Sequence, residues 1–258
     1  MKHVARKRFG QHFLVDQGVV ERIAEAVSPR PGDRLVEIGP GTAALTAALL
    51  ARAERLTAIE IDRDLVPRLA QRFGERLRLI EADVLEVDFG ALAAGGPIRI
   101  VGNLPYNISS PLLVRLLQWR ASIVDQHFML QKEVVDRIVS PPSSASYGRL
   151  GVLLQAYHDV ESLFEVGPQA FDPPPRVDSA VIRMLPRADP AAPHPEHLSA
   201  LLGAAFGQRR KMLRATLLPW LAQRGVQAPE IPPTARAQDV PVAAYVALAR
   251  RLESAARG

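Results

Sequence analysis

The sequence predicts an α/β protein in which a mostly parallel sheet, covered on both faces, precedes a small all-helical C-terminal domain. Three observations lead there. Short apolar runs alternate with amphipathic stretches through the first two-thirds of the chain. A glycine turn, Gly39-Pro-Gly41, directly follows the first buried run. Three prolines crowd positions 187–195, and beyond them the pattern turns helical to the end.

Each element follows from local pattern. Asp16 is placed to cap a helix whose apolar face carries Val19, Val20, Ile23 and Val27 at helical spacing. Arg34–Ile38 reads as a short buried strand stopped by Gly39 and Gly41, and a helix through Leu45 and Leu49 comes next. Further strands are predicted at Leu56–Ile61, Leu77–Ala82, Ile98–Gly102, His127–Leu130 and Ala180–Leu185. Helices are predicted at Leu65–Arg72, Pro111–Trp119 and Glu133–Val139, then at His197–Phe206, Arg209–Arg224 and Val242–Ser254. The domains are accordingly 1–187, a linker at 188–195, and a helical domain at 196–258.

Composition narrows the function. With 258 residues, 48% hydrophobic and 23% charged, the chain can bury a substantial core. It has no cysteine, which excludes disulfides, thiolate catalysis and cysteine-ligated metal centres. Met1–Gly10 is basic without the apolar stretch of a signal peptide, and no segment is apolar over a bilayer-spanning length. A cytoplasmic protein with no membrane partner is expected. The net charge of +5 and a pI near 9.9 suit either a polyanionic partner or an ordinary basic enzyme. The basic residues are grouped: Lys2, Arg6, Lys7 and Arg8 at the front, and Arg209, Arg210, Lys211 and Arg214 far downstream.

In open parallel sheets, ligands bind beyond the carboxyl ends of the strands, so the loops after each strand carry the chemistry. Glu37-Ile-Gly-Pro-Gly-Thr-Ala43 lets the backbone turn tightly and approach a ligand. It also satisfies the dinucleotide fingerprint through Gly39, Gly41 and Ala44. Glu60, roughly 20 residues on, is placed to hold ribose hydroxyls, which NAD and S-adenosylmethionine both carry. Asp62 and Asp64 read as helix-start residues. Asp83, ending the third strand, can accept a hydrogen bond from an adenine amino group.

Val101-Gly-Asn-Leu-Pro-Tyr106 separates the readings. The tetrapeptide Asn103–Tyr106 resembles those of enzymes that methylate an amino group conjugated to a ring. Such a nitrogen is a poor nucleophile because its lone pair is delocalised. The Asn103 side-chain oxygen and the Leu104 carbonyl can accept both amine hydrogens and draw the nitrogen toward tetrahedral geometry. Pro105 stiffens the loop, and Tyr106 offers a stacking surface to an extruded base. An NAD-dependent dehydrogenase would leave this loop and the basic C-terminal cluster unexplained.

The chain resembles the KsgA-type small-subunit (16S) ribosomal RNA adenine N6,N6-dimethyltransferase family over nearly its whole length. The matching blocks are Arg6–Leu14, Glu37–Gly41, Glu60, Asp83, Asn103–Tyr106, His127–Glu133, Tyr147–Leu150, Pro173–Ser179 and Phe206–Lys211. The resemblance implies a Rossmann-like sheet binding S-adenosyl-L-methionine, with S-adenosyl-L-homocysteine as product and no metal. The implied substrate is a pair of adjacent adenosines near the 3′ end of 16S rRNA in the small (30S) subunit. Cofactor contacts carry over to His12, Leu14, Gly39, Gly41, Glu60, Asp83 and Asn103. Many relatives have Asn where this chain has His12. Phe171 would form a second aromatic wall opposite Tyr106, and otherwise reads as a core residue. Arg6, Lys7, Arg8, Arg209, Arg210, Lys211 and Arg214 would meet phosphates, the later cluster from a helix face.

Two competing readings share the fold. An Erm-type 23S rRNA adenine methyltransferase is disfavoured by Gln131-Lys-Glu133, Tyr147-Gly-Arg-Leu150 and Leu104. A ribosome-assembly or transcription factor acting by binding alone would not need an intact Asn103–Tyr106. A role in small-subunit biogenesis is compatible with catalysis, and a monomer is expected.

Overall fold

The computed structural model describes residues 11–189, 193–208 and 210–256. A two-residue strand, β1 (Phe13–Leu14), leads into α1 (Gln17–Val27). As the spacing predicts, the Asp16 carboxylate caps α1 by accepting the Val19 N–H at 3.0 Å. Val20, Ile23, Ala24 and Val27 are buried along one face.

The main sheet contains β2 (Leu35–Ile38), β3 (Leu56–Glu60), β4 (Leu77–Glu81), β5 (Ile98–Asn103), β6 (Ile123–Gln131), β7 (His158–Val166) and β9 (Ser179–Pro186). Between them run α2 (Ala44–Leu50), α3 (Val66–Phe73), the short α4 (Phe89–Leu92), α5 (Tyr106–Leu116), α6 (Lys132–Val139) and α7 (Arg149–Tyr157). A second short strand, β8 (Phe171–Asp172), pairs antiparallel with β1.

The strand order is β4-β3-β2-β5-β6-β9-β7. All neighbours from β4 to β6 are parallel, whereas β9 runs antiparallel to β6. The chain therefore moves outward from β2 to β4, then returns to place β5 on the other side of β2. At such a reversal the connecting loops diverge and leave a crevice at the carboxyl ends. All four residues of β2 are buried, as expected of a parallel strand covered on both faces.

The departures from expectation have physical causes. The helix predicted from Pro111 begins a turn and more earlier, at Tyr106, because the apolar residues Leu112, Leu113 and Leu116 mark only its second half. β6 starts at Ile123 rather than His127, its entry disguised by the buried polar residues Asp125 and Gln126. β7 was not legible: it is last in the sheet order and carries Asp159, Glu161, Ser162 and Glu165 among its residues.

Asp125 is buried because it is paired. The Arg99 guanidinium donates to both Asp125 oxygens at 2.7–3.1 Å and to Asp33 at 2.6 Å. It also caps α1 by donating to the carbonyls of Val27 and Ser28. Burial alone would raise the Asp33 pKa, but the Arg30 amide and the Arg99 charge hold it below its ordinary value.

The chain divides into two compact units, residues 1–135 with 161–186 and residues 136–160 with 187–258. Residues 136–160 thus group with the C-terminal helices, ahead of the proline-rich stretch. The second unit contains α7, α8 (Pro195–Phe206), α9 (Leu217–Ala222) and α10 (Val242–Ala255). Three buried tyrosines organise it, each donating its hydroxyl to a backbone carbonyl: Tyr147 to Val240, Tyr157 to Pro193 and Tyr245 to Ala237. Gly151 lets α7 approach closely, since a Cβ there would lie 2.3 Å from the Arg137 carbonyl oxygen. Among the described residues no helix is long and apolar enough to cross a membrane.

The continuous helix expected at Arg209–Arg224 is corrected to a 3-10 turn (Leu213–Ala215) followed by α9. The amides of Leu213 and Arg214 donate across the chain to Ala235 and Pro233 instead of back along a helix. Pro219, which lacks an N–H, is accommodated in the first turn of α9, and a longer helix would place it in the interior.

Truncating Asp125 to Ala should destabilise the protein by about 3–5 kcal/mol, because Arg99 is left as a buried charge without its main partner. Chemical denaturation of the variant against the parent chain checks this.

Candidate active site

The loops after β2, β3, β4 and β5 surround a cavity of about 280 Å³. Gly39 and Gly41 line it with φ of 67° and 55°, in the left-handed region open to glycine. A Cβ on Gly41 would lie 2.9 Å from the Phe13 ring, so the turn is closed on one side by the N-terminal segment.

Glu60 ends β3 with only 4% exposure. Its carboxylate accepts the Asp62 N–H at 2.8 Å and the Gly41 N–H at 3.2 Å, one on each oxygen. Burial raises its pKa, and those two hydrogen bonds oppose the rise. A carboxylate has about four acceptor positions, so roughly two remain for a ligand. Asp83 lines the cavity after β4 and commits Oδ1 to the Leu85 N–H at 2.9 Å.

The end of β5 turns into the Asn103–Tyr106 loop. The Asn103 amide nitrogen donates to the His12 carbonyl at 3.0 Å. A carbonyl can only accept, so the –NH₂ faces His12 and Oδ1 is left for another partner. Leu104 is anchored by its N–H to the Met129 carbonyl, and Pro105 stands at the N-cap position of α5. Tyr106 is the first residue of α5. Its hydroxyl shares a hydrogen bond with Ser179 Oγ at 3.1 Å, and its ring stacks with His12 at 5.9 Å between centroids. Burial raises the phenol pKa, which keeps Tyr106 neutral.

Residues 11–14 are each held by contacts to other parts of the chain. Gln11 donates to the buried Asp62 carboxylate at 3.2 Å, and the His12 ring donates from Nδ1 to the Pro173 carbonyl at 2.8 Å. Phe13 and Leu14 pair with Asp172 and Phe171.

Gly39, Gly41, Glu60, Asp83, Asn103, Leu104, Pro105, Tyr106, His12 and Phe171 therefore come together around one cavity. Phe171 also belongs to the hydrophobic core, so its two readings meet in one side chain. The Leu14 side chain is seated in the core and does not line the cavity. Arg6, Lys7, Arg8 and Arg209 lie outside the described residues. Arg210, Lys211 and Arg214 are exposed, on a turn and a 3-10 segment rather than on the expected helix face.

Sequence reasoning missed Gln11 as a contact to Asp62, the apolar walls Ile38, Ile61 and Val84, and Ser179. Asp62, read as a helix-start residue, does accept the Asp64 N–H ahead of α3, but it also holds Gln11. The Ser179 signal was its place at the close of the Pro173–Ser179 block.

These residues fit S-adenosylmethionine. The glycine turn leaves room for a close approach, Glu60 has acceptor capacity for ribose hydroxyls, and Ile38, Ile61 and Val84 supply apolar surface for an adenine ring. The fold and this constellation define an S-adenosylmethionine-dependent methyltransferase. A family model described as ribosomal RNA adenine dimethylase matches residues 2–254. The ribosomal RNA small subunit methyltransferases A of Leptothrix cholodnii and Methylibium petroleiphilum are each 56% identical to the chain. These alignments cover 98% of the chain in both cases, and 94% and 98% of those proteins. A dimethyladenosine transferase from Plasmodium falciparum shares the fold with a TM-score of 0.80 at 23% identity, over 95% of this chain and 98% of that one. The 23S rRNA methyltransferase ErmE superposes with a TM-score of 0.70 at 27% identity, over 93% and 99%. The chain belongs to the ribosomal RNA adenine dimethylase family.

Glu37, behind the glycine turn on β2, is 1% exposed, and its Oε2 has no partner among the described residues. Burial pushes its pKa up to about 8, and the nearby Glu60 adds to the rise. The folded state therefore binds a proton that the unfolded chain releases above its ordinary pKa of 4.5. This contribution to stability is fully present below pH 4.5 and is lost as the pH rises through about 8. Replacing Glu37 by Gln should flatten that decline in unfolding free energy measured across the same range.

Proposed function

We propose that this chain uses S-adenosyl-L-methionine to convert two adjacent adenosines near the 3′ end of 16S rRNA to N6,N6-dimethyladenosine. Its substrate is the small (30S) subunit or its precursor, and the reaction forms part of small-subunit biogenesis in the cytoplasm, carried out by a monomer. The observation that carries this reading is the orientation of Asn103 at the cavity, with its amide nitrogen committed to His12 and its oxygen left to accept. Identity to the small-subunit methyltransferases is about twice that to ErmE, which favours this substrate over 23S rRNA.

When bound, S-adenosylmethionine supplies an electrophilic methyl group carried on a sulfonium. His12, Leu14, Gly39, Gly41, Glu60, Asp83 and Asn103 would hold it. Asn103 Oδ1 and the Leu104 carbonyl accept the two hydrogens of adenine N6 and turn its lone pair toward the donor. Tyr106 and Phe171 hold the extruded base between them. Catalysis is then chiefly orientation and electrostatic placement. Arg6, Lys7, Arg8, Arg209, Arg210, Lys211 and Arg214 contact phosphates and strengthen RNA binding without choosing the base.

Transfer of labelled methyl from S-adenosylmethionine should yield N6,N6-dimethyladenosine in unmethylated small subunits and not in large subunits, naked rRNA or DNA. Label in large-subunit RNA would overturn the substrate assignment, and no label anywhere would overturn the enzymatic reading. Asn103→Ala should lower turnover about a hundredfold or more while small-subunit binding persists, as removal of a transition-state hydrogen-bonding group does. Charge reversal of Arg210 and Lys211 should reduce the salt dependence of subunit binding by a slope of about one per lost phosphate contact.

A further inference from the structure

We propose that Ser179 is a positioning residue for the target base, acting through Tyr106; the inference rests on the reading of the cavity as an adenine N6 methylation site. Ser179 opens β9 opposite Gln131, at the same end of the sheet as Asn103, and is 1% exposed. Its neighbours Ala180, Val181 and Ile182 are apolar and fully buried, so a hydroxyl at this position needs a partner. That partner is the Tyr106 hydroxyl at 3.1 Å. The anchor point is itself fixed, because the adjacent Asp178 carbonyl accepts the Lys132 N–H at 2.9 Å.

Stacking a base requires only an aromatic face, which phenylalanine would supply equally well. The phenolic oxygen adds a tether. Tyr106 stands on a loop-to-helix junction, and its side chain has two torsions to restrain. The His12 ring rests against its face, and Ser179 holds the far end of the ring. Together they fix the plane against which adenine lies before the base arrives, so the geometry of N6 relative to Asn103 is set in advance. Without the tether, the ring must be ordered at each turnover.

The two hydroxyls form a single device, so removing either should cost the same and removing both should cost no more. In the small-subunit assay, Ser179→Ala and Tyr106→Phe should each lower kcat about fivefold, the scale of one neutral hydrogen bond. KM for subunits and the Kd for S-adenosylmethionine should change less than about twofold, since neither the phosphate contacts nor the residues assigned to hold the cofactor are altered. The double variant should match the singles. Multiplicative loss to about 25-fold, a single variant at the parent rate, or a loss appearing in the cofactor Kd would overturn the proposal. Should Ser179→Ala fail to fold, Tyr106→Phe decides alone: a parent-like kcat overturns the tether, and a fivefold loss confined to kcat supports it. Failure of the parent chain itself to methylate adenine N6 would instead sink the functional reading.

Discussion

The site is built outward from one buried carboxylate. A buried carboxyl group cannot be sequestered at the end of a strand unless its oxygens are satisfied. Glu60 meets that condition by accepting the amides of Gly41 and Asp62, which belong to the loops after two different strands. Those hydrogen bonds tie the glycine turn and the β3 loop into one rim. Asp62, held by its own backbone bond to Glu60, then receives Gln11, and Phe13 packs against Gly41. With Gln11 and Phe13 fixed, the carbonyl of His12 between them is placed to accept the Asn103 amide. The orientation of the group that handles the substrate nitrogen thus descends, contact by contact, from the need to satisfy Glu60.

This chain of contacts explains what was legible in the sequence. β2 to β5 announce themselves as local apolar runs, the glycine turn as a local break, and Asn103–Tyr106 as a contiguous motif. The fold class and the location of the site follow from these alone. Closure of the site does not, because it depends on pairs distant in sequence. Gln11 meets Asp62 across 51 positions, Tyr106 meets Ser179 across 73, and His12 meets Pro173 across 161. The Pro173–Ser179 block marks the place of Ser179 but does not say that its hydroxyl meets Tyr106. The errors in the elements have the same origin. The strand predicted at His127–Leu130 leaves out Asp125, whose partner Arg99 is distant in sequence, and 209–224 reads as one helix until 233–236 claims its amides.

His12 shows how a departure from a motif can be absorbed. Its cofactor role was carried over from relatives that often have Asn. In this chain the contact to Asn103 comes from the backbone carbonyl, which any residue would supply. The side chain is free to do other work, donating to Pro173 and lying against Tyr106. An asparagine would lack the ring that rests on the tyrosine. The substitution therefore preserves the orientation of Asn103 while adding a brace to the neighbouring wall.

A common rule runs through the polar groups of the cavity. Each gives part of its hydrogen-bonding capacity to the protein and keeps the rest. Asn103 uses its nitrogen and keeps its oxygen; Asp83 uses Oδ1; Glu60 uses one position on each oxygen. Tyr106 uses its hydroxyl and still lines the cavity. A group wholly free would have to be ordered at the moment of reaction, and one wholly committed would have nothing to offer. Half-commitment fixes direction in advance, which is what methylation of a weak nucleophile requires, because its barrier is lowered by alignment rather than by a strong base. Glu37 stands outside the rule. It lies behind the turn with an unpartnered oxygen and an elevated pKa, and so contributes as a neutral acid rather than as a charge directed at the ligand.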